Sequence, residues 1–413
     1  MKILLASIYP YAFILLYLTI PFDDYIRAFP NLLLGILLIA FPIIVTKEDF
    51  KKLLLKPVLL FLLFFVFLLI SAFLFGRFEN DFVVVRKMII PLGLVILYLP
   101  VQDFKKLNKA IIFSSFAAIF FSIIKFVVLV NNTGTFNLGF FQDSIDVLLI
   151  DRLYIGFLCV LSILVSYQSL KKEYHPNNRY FLASILLNGL FILLIMSKVA
   201  IAILLAIVLL RQFYGKQKKI RLLISFVVIL IIGGLIYKSY KPYFEKIIAS
   251  EYTNPEVNYI EGTIPWGYRS LVWNCSTVII KEIENKWNGI GFKETNNRLE
   301  ICYDNNINDM NTKEIFLSKR FNTHNQFLDF YISSGIVGFL LFICVLGVLF
   351  FHYRKHFFAT ALLVSIILLG LVENFFHRQI GAYYFGFILV ILLINNTFFK
   401  KSEKENINPQ QPL

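Results

Sequence analysis

Long apolar runs alternate with short polar loops along most of the chain. A run of about 17 residues or more crosses a bilayer as a helix, at ~1.5 Å per residue against ~30 Å of hydrocarbon. The pattern predicts an all-α integral membrane protein with about twelve spans, of which the fourth and eighth are short. The runs are 3–20, 30–46, 57–75, 88–100, 110–130, 153–170, 180–196, 199–213, 222–237, 327–350, 357–373 and 381–399.

Lysine and arginine are concentrated in alternate loops between these runs. Such a bias marks the cytoplasmic side of a membrane protein, and it agrees with an even number of spans. We therefore expect both termini in the cytoplasm and the longest polar segment on the opposite side. The predicted organisation is an N-terminal bundle of about nine helices (1–237), a large extracytoplasmic loop (238–326), about three C-terminal helices (327–399) and a disordered tail (400–413).

Composition agrees with this membrane class. The chain is 58% hydrophobic and 16% charged, whereas soluble domains are ~45–50% apolar and ~25% charged. The net charge of +14 does not indicate nucleic-acid binding, because the basic residues lie in short loops rather than in one patch. Residues 1–20 lack a small-residue cleavage site, so we expect this run to be retained as a span.

Two cysteines, Cys275 and Cys302, fall in the large loop. In an oxidising compartment they can form a disulfide. The sequence leaves this pairing open, because it does not give the distance between the two residues.

Several cations lie on the side opposite to the cytoplasm, against the charge bias. An anionic ligand at that membrane surface is one reason to keep them, since a guanidinium group donates two parallel hydrogen bonds to a phosphate. The alternative is that individual side chains reach lipid headgroups or pair with nearby carboxylates. The candidate anion-binding residues are Arg77, Arg86, Lys87, Arg152, Lys198, Arg269, Arg320 and Arg378.

His324 stands at the end of the large loop, directly before an apolar run. An imidazole with a pKa near ~6.5 can accept a proton from a hydroxyl group. The alternative is a histidine that caps or packs at a helix start. Asp329, five residues further on, is expected to face the bundle interior and to orient His324 or neutralise an arginine.

The sequence shows no metal-ligand spacing and no glycine-rich phosphate loop. We therefore expect no metal and no cofactor, and no nucleotide site.

Several short motifs resemble the O-antigen ligase and polymerase superfamily, in the order and on the topology of that family, from about the second to the twelfth span. The main one is a His-Asn pair, nine residues and Gly-x-x-Gly. A lysine stands in the hairpin motif where the family usually has arginine, and this change loses bidentate geometry. The motifs are His324-Asn325 with Gly335 and Gly338, Ser197-Lys198-Val199-Ala200, Tyr268-Arg269 with Trp273, and Gly289-Ile290-Gly291.

The resemblance implies a GT-C-like, metal-independent inverting glycosyltransferase in the bacterial inner membrane, with a periplasmic large loop. Its donor would be a glycan on undecaprenyl pyrophosphate. The implied roles are the base for His324, stabilisation of the leaving pyrophosphate for Arg269 and the other cations, and sugar stacking for Trp266 and Trp273. Asn325, Asp329, Gly335 and Gly338 would support the site. Apart from the resemblance, Gly335 and Gly338 lie three residues apart in an apolar run, which predicts close packing by another helix.

Four functions remain open. A ligase would move the glycan to lipid A-core, and an O-antigen or exopolysaccharide polymerase would extend a growing lipid-linked chain; no residue separates the two. A polysaccharide or ion transporter is disfavoured by the long loop and by the absence of an inverted repeat. A cell-wall polymerase relative is disfavoured by the His-Asn motif.

Overall fold

The computed structural model describes residues 2–22, 25–26, 28–50, 53, 56–101, 104–134, 148–171, 173–214 and 265–394. Within these ranges the chain forms helices and no strand. The sixteen α-helices are α1 Lys2–Thr19, α2 Ala28–Ile44, α3 Lys47–Phe50, α4 Lys56–Leu74, α5 Phe78–Val85, α6 Ile89–Tyr98, α7 Phe104–Thr133, α8 Arg152–Ser169, α9 Asn177–Leu194, α10 Lys198–Gln212, α11 Pro265–Glu282, α12 Phe292–Asn306, α13 Met310–Lys319, α14 Gln326–Tyr353, α15 Phe357–Gly370 and α16 Gln379–Ile394.

The predicted all-α membrane class is confirmed. Every predicted apolar run coincides with a helix, except 222–237, which lies outside the described residues. In the described part, α1 with its following turn and α4, α7, α8, α9 and α14 are long and apolar enough to cross a membrane. Helices α2, α15 and α16 are apolar but shorter. The figure of twelve spans stays a prediction, as does the tail 400–413, which is also outside the described residues.

The chain divides into two compact units. We call residues 1–204 and 340–413 the span unit, and residues 205–339 the loop unit. The second boundary falls inside α14, whereas the sequence placed the end of the large loop at residue 326. The predicted loop, 238–326, therefore lies within the loop unit, which also includes residues 205–237 and 327–339.

Helices of the span unit pack through aromatic and small side chains. Helix α1 packs on α2 and α7, α8 packs on α9, and α6 packs on α16. A Cβ on Gly386 of α16 would lie 2.6 Å from Leu94 Cδ1 of α6, so the two helices approach closely here.

Buried hydroxyl groups also join neighbouring helices of this unit. Ser115 of α7 donates to Ser162 of α8 (2.8 Å), and Ser166 of α8 donates to Ser184 of α9 (2.9 Å). Such bonds between membrane helices contribute about 0.6 kcal/mol each.

The loop unit has its own hydrophobic core, built by α11, α12, α13 and the first half of α14. Val272, Leu299, Phe316 and Ile332 supply one buried side chain from each helix. Cys275 and Cys302 form a disulfide that joins α11 to α12, with the Cα atoms 5.8 Å apart. The pairing that the sequence left open is therefore present.

Candidate functional site

His324 occupies a tight turn between α13 and α14, and its backbone is left-handed (φ 43°). Its own N–H donates to Asn322 Oδ1 at 3.0 Å. Asn325 then caps α14, because its Oδ1 accepts from the backbone N–H groups of Phe327 (3.0 Å) and Leu328 (3.1 Å). Asparagine side chains on both sides thus hold the backbone that presents the imidazole.

The ring of His324 packs against Phe321, with the centroids 5.5 Å apart. Phe321 in turn packs on Phe316 of α13, at 4.9 Å. The Tyr303 hydroxyl donates to the Phe321 carbonyl oxygen at 3.1 Å. Burial raises the pKa of this phenol, and Glu300 raises it further, so the hydroxyl remains a donor at neutral pH. The sequence did not point to Tyr303 or Phe321, because their role depends on contacts between helices.

Asp329 lies one turn below the cap of α14 and is fully buried, as is Gln326. The Gln326 amide donates to Asp329 Oδ2 at 3.4 Å. The carboxyl group of Asp329 is thus buried, as the sequence predicted. Its suggested roles, orientation of His324 or neutralisation of an arginine, stay predictions.

Helix α14 is interrupted at Gly335, whose backbone is far from helical (φ 71°, ψ −174°). The spacing of Gly335 and Gly338 predicts that another helix packs closely against them. For Gly335 this is wrong. Its neighbour is the non-helical segment between α11 and α12, and a Cβ there would meet the Trp287 carbonyl group and the Asn288 nitrogen.

Backbone groups freed by this interruption find new partners in residues 286–291. In a continuous helix, Ile336 N–H would donate to Ile332 and Val337 N–H to Ser333. Instead the two N–H groups donate to Lys286 O (2.8 Å) and Trp287 O (3.5 Å). The two released carbonyl groups accept from Ile290 N–H (3.0 Å) and Gly291 N–H (2.9 Å).

We call this four-bond crossing the clasp. It requires two backbones to approach closely. A Cβ on Gly289 (φ 62°) would stand 2.5 Å from the Gly335 nitrogen and from the Ile332 oxygen. The Gly289-Ile290-Gly291 motif and the Gly335 position of the His-Asn motif are therefore two sides of one contact. The clasp fixes the C-terminal end of the short helix 326–334, and the N-terminal end of that helix follows the His324 turn.

Arg269 and Trp273 both lie on α11 of the loop unit. Arg269 is half-buried, and Trp273 is partly buried against the unit's hydrophobic core. The disulfide at Cys275 attaches this helix to α12. The side chain of Trp266 lies outside the described residues. The sequence assigned no role to Trp287, which stands two residues before the Gly-Ile-Gly motif and is 64% exposed.

Arg320 ends α13 in a left-handed conformation (φ 47°). Its guanidinium lies 3.3 Å from a Glu300 carboxylate oxygen, and its side chain is 75% exposed. This geometry shows Arg320 as a helix-end residue with a surface ion pair.

Arg378 of the span unit lies between two carboxylates. Its Nη1 donates to Asp151 Oδ2 at 3.1 Å, and its Nε is 4.0 Å from Glu373 Oε1. The buried Tyr154 hydroxyl donates to the same Glu373 oxygen at 3.2 Å. Burial alone would lower the pKa of Arg378, but the two carboxylates outweigh it and raise the pKa. The pairing of Glu373 with Arg378 across this turn agrees with the expected ion-pair alternative.

Lys87 lies in the same unit and donates to the His377 carbonyl oxygen. Burial lowers the pKa of its ammonium group, and the charges of Arg86 and Arg378 lower it further. Three cations therefore influence one another at this end of the span unit, with Asp151 and Glu373 as counter-charges. A doubly charged anion would be attracted to such a group.

The remaining cations of the span unit differ in exposure. Arg77 is part-buried, 3.8 Å from Asp81 and bonded to the Ser71 hydroxyl. Arg152 is also part-buried, whereas Arg86 and Lys198 are exposed. Lys198 follows the buried Ser197, whose hydroxyl oxygen would lie 2.5 Å from a Cβ on Gly156 of α8. The Ser-Lys motif thus begins α10 at a close contact with α8.

The described residues contain no cluster of three or more His, Cys, Asp or Glu side chains that could hold a metal ion. They do place His324, its cap and its packing partners in the same unit as Arg269. An imidazole and a guanidinium group are thus present in one compact part of the chain.

Residues 182–343 match the family model described as O-antigen ligase. The match includes the whole loop unit, and with it His324, Arg269, Arg320 and the clasp. It supports the O-antigen ligase and polymerase superfamily, and a ligase- or polymerase-like function for a multi-pass membrane protein. Arg77, Arg86, Arg152 and Arg378 lie outside the matched residues. No protein among the curated sequences matches the chain.

Proposed function

We propose that this chain is a glycosyltransferase that moves a glycan from undecaprenyl pyrophosphate to lipid A-core at the periplasmic face of the inner membrane. The observation that carries the proposal is His324, held in a capped turn at the start of a membrane helix, inside the segment that matches the O-antigen ligase family. Both termini are cytoplasmic in this proposal.

The proposed reaction is a single displacement with inversion. The His324 imidazole accepts the proton of an acceptor hydroxyl group, and the hydroxyl oxygen attacks the anomeric carbon of the donor. The bond from that carbon to the pyrophosphate oxygen breaks, and the pyrophosphate leaves with the electron pair. No metal or other cofactor takes part in this scheme.

Cations stabilise the leaving pyrophosphate in this scheme. Arg269 is our first choice, because it shares the loop unit with His324 and lies within the family match. Arg320 and Arg378 are weaker choices, since binding a phosphate would displace carboxylates that each already contacts. Arg77, Arg86, Arg152 and Lys198 are further candidates for the donor.

The base assignment is tested with His324→Asn. Asparagine tolerates a left-handed backbone, so this variant removes the imidazole without adding strain. We expect transfer to fall by about 10²–10⁴-fold, the contribution of a general base. His352→Asn, at the other end of α14, is the matched control and should retain activity. Normal transfer by stably expressed His324→Asn would exclude His324 as the base.

The glycolipid profile of cells that lack the gene distinguishes a ligase from a polymerase. Absence of glycan from lipid A-core, with long chains on the carrier lipid, identifies a ligase. A core that carries one repeat unit identifies a polymerase, which has the same donor and a different acceptor. An unchanged glycolipid profile would contradict both.

A further inference from the structure

Trp287 is attached firmly to the backbone of a membrane helix. Its carbonyl oxygen accepts from Val337 N–H, and that of Lys286 accepts from Ile336 N–H, as part of the clasp. Its indole is nevertheless 64% exposed. Trp273, on α11, is partly buried against the core of the loop unit. The fold therefore presents a large amphipathic ring at a fixed level along α14.

This level coincides with a membrane boundary when the length of α14 is considered. The uninterrupted part of the helix runs from Ile336 to Tyr353. At ~1.5 Å per residue it is ~27 Å long, close to the ~30 Å of a bilayer's hydrocarbon. Arg354 and Lys355 follow it directly and mark the opposite boundary.

Side chains on the two parts of α14 agree with a boundary at Gly335. Below the break, exposed apolar residues suit contact with lipid: Leu340, Ile343, Phe350 and Phe351. Above it, the helix carries buried polar groups, among them Gln326 and Asp329, and it belongs to the loop unit. If the boundary lies at the break, the crossing part begins there, and His324 would lie about 13 Å or more beyond that level along the helix.

We propose that Trp287 inserts its indole into the interfacial layer of the bilayer and anchors the segment 286–291 there. Tryptophan prefers this layer, because its ring is apolar and its N–H needs a polar partner. The adjacent Lys286 is exposed and supplies a cation for lipid phosphate groups. The partner is the lipid of the membrane surface on the side of the loop unit. The proposal is independent of the reaction that the protein catalyses.

Depth-dependent fluorescence quenching tests this anchor, since the chain has three tryptophans. Trp266→Phe with Trp273→Phe leaves Trp287 as the only emitter, in liposomes of phosphatidylethanolamine and phosphatidylglycerol. We expect blue-shifted emission from Trp287. Lipids brominated near the headgroup should quench its fluorescence more than lipids brominated near the ends of the acyl chains. A variant that keeps only Trp273 is the control and should not be quenched. Red emission without quenching by any brominated lipid would overturn the proposal.

A second measurement avoids the double substitution. The quenching of the natural protein minus that of Trp287→Phe gives the contribution of Trp287 alone, and it should show the same depth profile. Gly335→Ala should change this profile, because its Cβ would displace Trp287. Gly347→Ala should not, since nothing lies within 4 Å of a Cβ there. If Gly335→Ala leaves the profile unchanged, the clasp does not set the depth of Trp287.

Discussion

Gly335→Ala is the sharpest test of the clasp. The new Cβ would stand against the Trp287 carbonyl group, and the backbone would have to keep a φ of 71°. With ψ at −174°, this backbone conformation is open essentially to glycine alone, and holding alanine in it costs about 1–3 kcal/mol. If the segment 286–291 moves away to avoid the Cβ, four backbone hydrogen bonds are also lost. At ~1 kcal/mol each, this adds up to about 4 kcal/mol.

Gly347 on the same helix supplies the matched control. It lies in the regular part of α14, and a Cβ at this position would meet open space. Alanine there should be neutral or should stabilise the helix by up to ~1 kcal/mol. We therefore expect Gly335→Ala to unfold at a clearly lower temperature than Gly347→Ala in fluorescence-monitored melting of the detergent-solubilised protein.

Gly289→Ala extends this test to the other side of the contact. Both substitutions break the same crossing, so their effects should not add. The double variant should lose little more stability than the worse single variant. Equal melting temperatures for Gly335→Ala and Gly347→Ala would refute the clasp, and full additivity would show that the two glycines act separately.

Three further substitutions address the loop unit. Serine at Cys275 and Cys302 should lower stability by about 3–4 kcal/mol, the cost expected for opening a crosslink with a sequence separation of 27; melting with and without reductant should then differ only for the natural protein. Arg320→Gly should leave the melting temperature equal or higher, because relief of left-handed strain offsets a surface ion pair with Glu300 worth ~0–1 kcal/mol. Tyr303 should contribute stability fully below pH ~10 and lose it as the pH rises, because its pKa is raised in the folded protein relative to the unfolded chain; in pH-dependent melting, Tyr303→Phe should reduce this alkaline loss and cost ~1 kcal/mol at neutral pH for the missing hydrogen bond.

Hydropathy was sufficient to predict where the apolar helices of the described residues lie, whereas the number of membrane spans stays a prediction. The limits of α1, α4 and α8 agree with the predicted runs to within about two residues, because a span must stay apolar over its whole length. The disulfide could not be predicted, since the separation of Cys275 and Cys302 depends on how α11 packs on α12.

The interruption of α14 was also beyond sequence reasoning. Gly335 stands in an apolar run, where a Gly-x-x-Gly pattern most simply indicates a helix contact. The backbone groups that make the break stable come from Lys286–Gly291, more than forty positions earlier in the chain. Only the tertiary structure shows that the Gly-Ile-Gly motif and the His-Asn motif are partners. The contacts of the arginines were harder still to predict from the sequence, because surface ion pairs such as Arg320 with Glu300 depend on side-chain positions.

The interval between His324 and Gly335 follows from this geometry. The nine residues from Gln326 to Ser334 form a short helix that is fixed at both ends, by the Asn325 cap above and by the clasp below. An α-helix turns by about 100° per residue. One residue more or less would rotate the His324 turn by that angle relative to the Gly335 break, and the imidazole would point elsewhere. The spacing of the motif therefore determines the direction of the proposed base, and the glycine at its end matters as much as the histidine at its start.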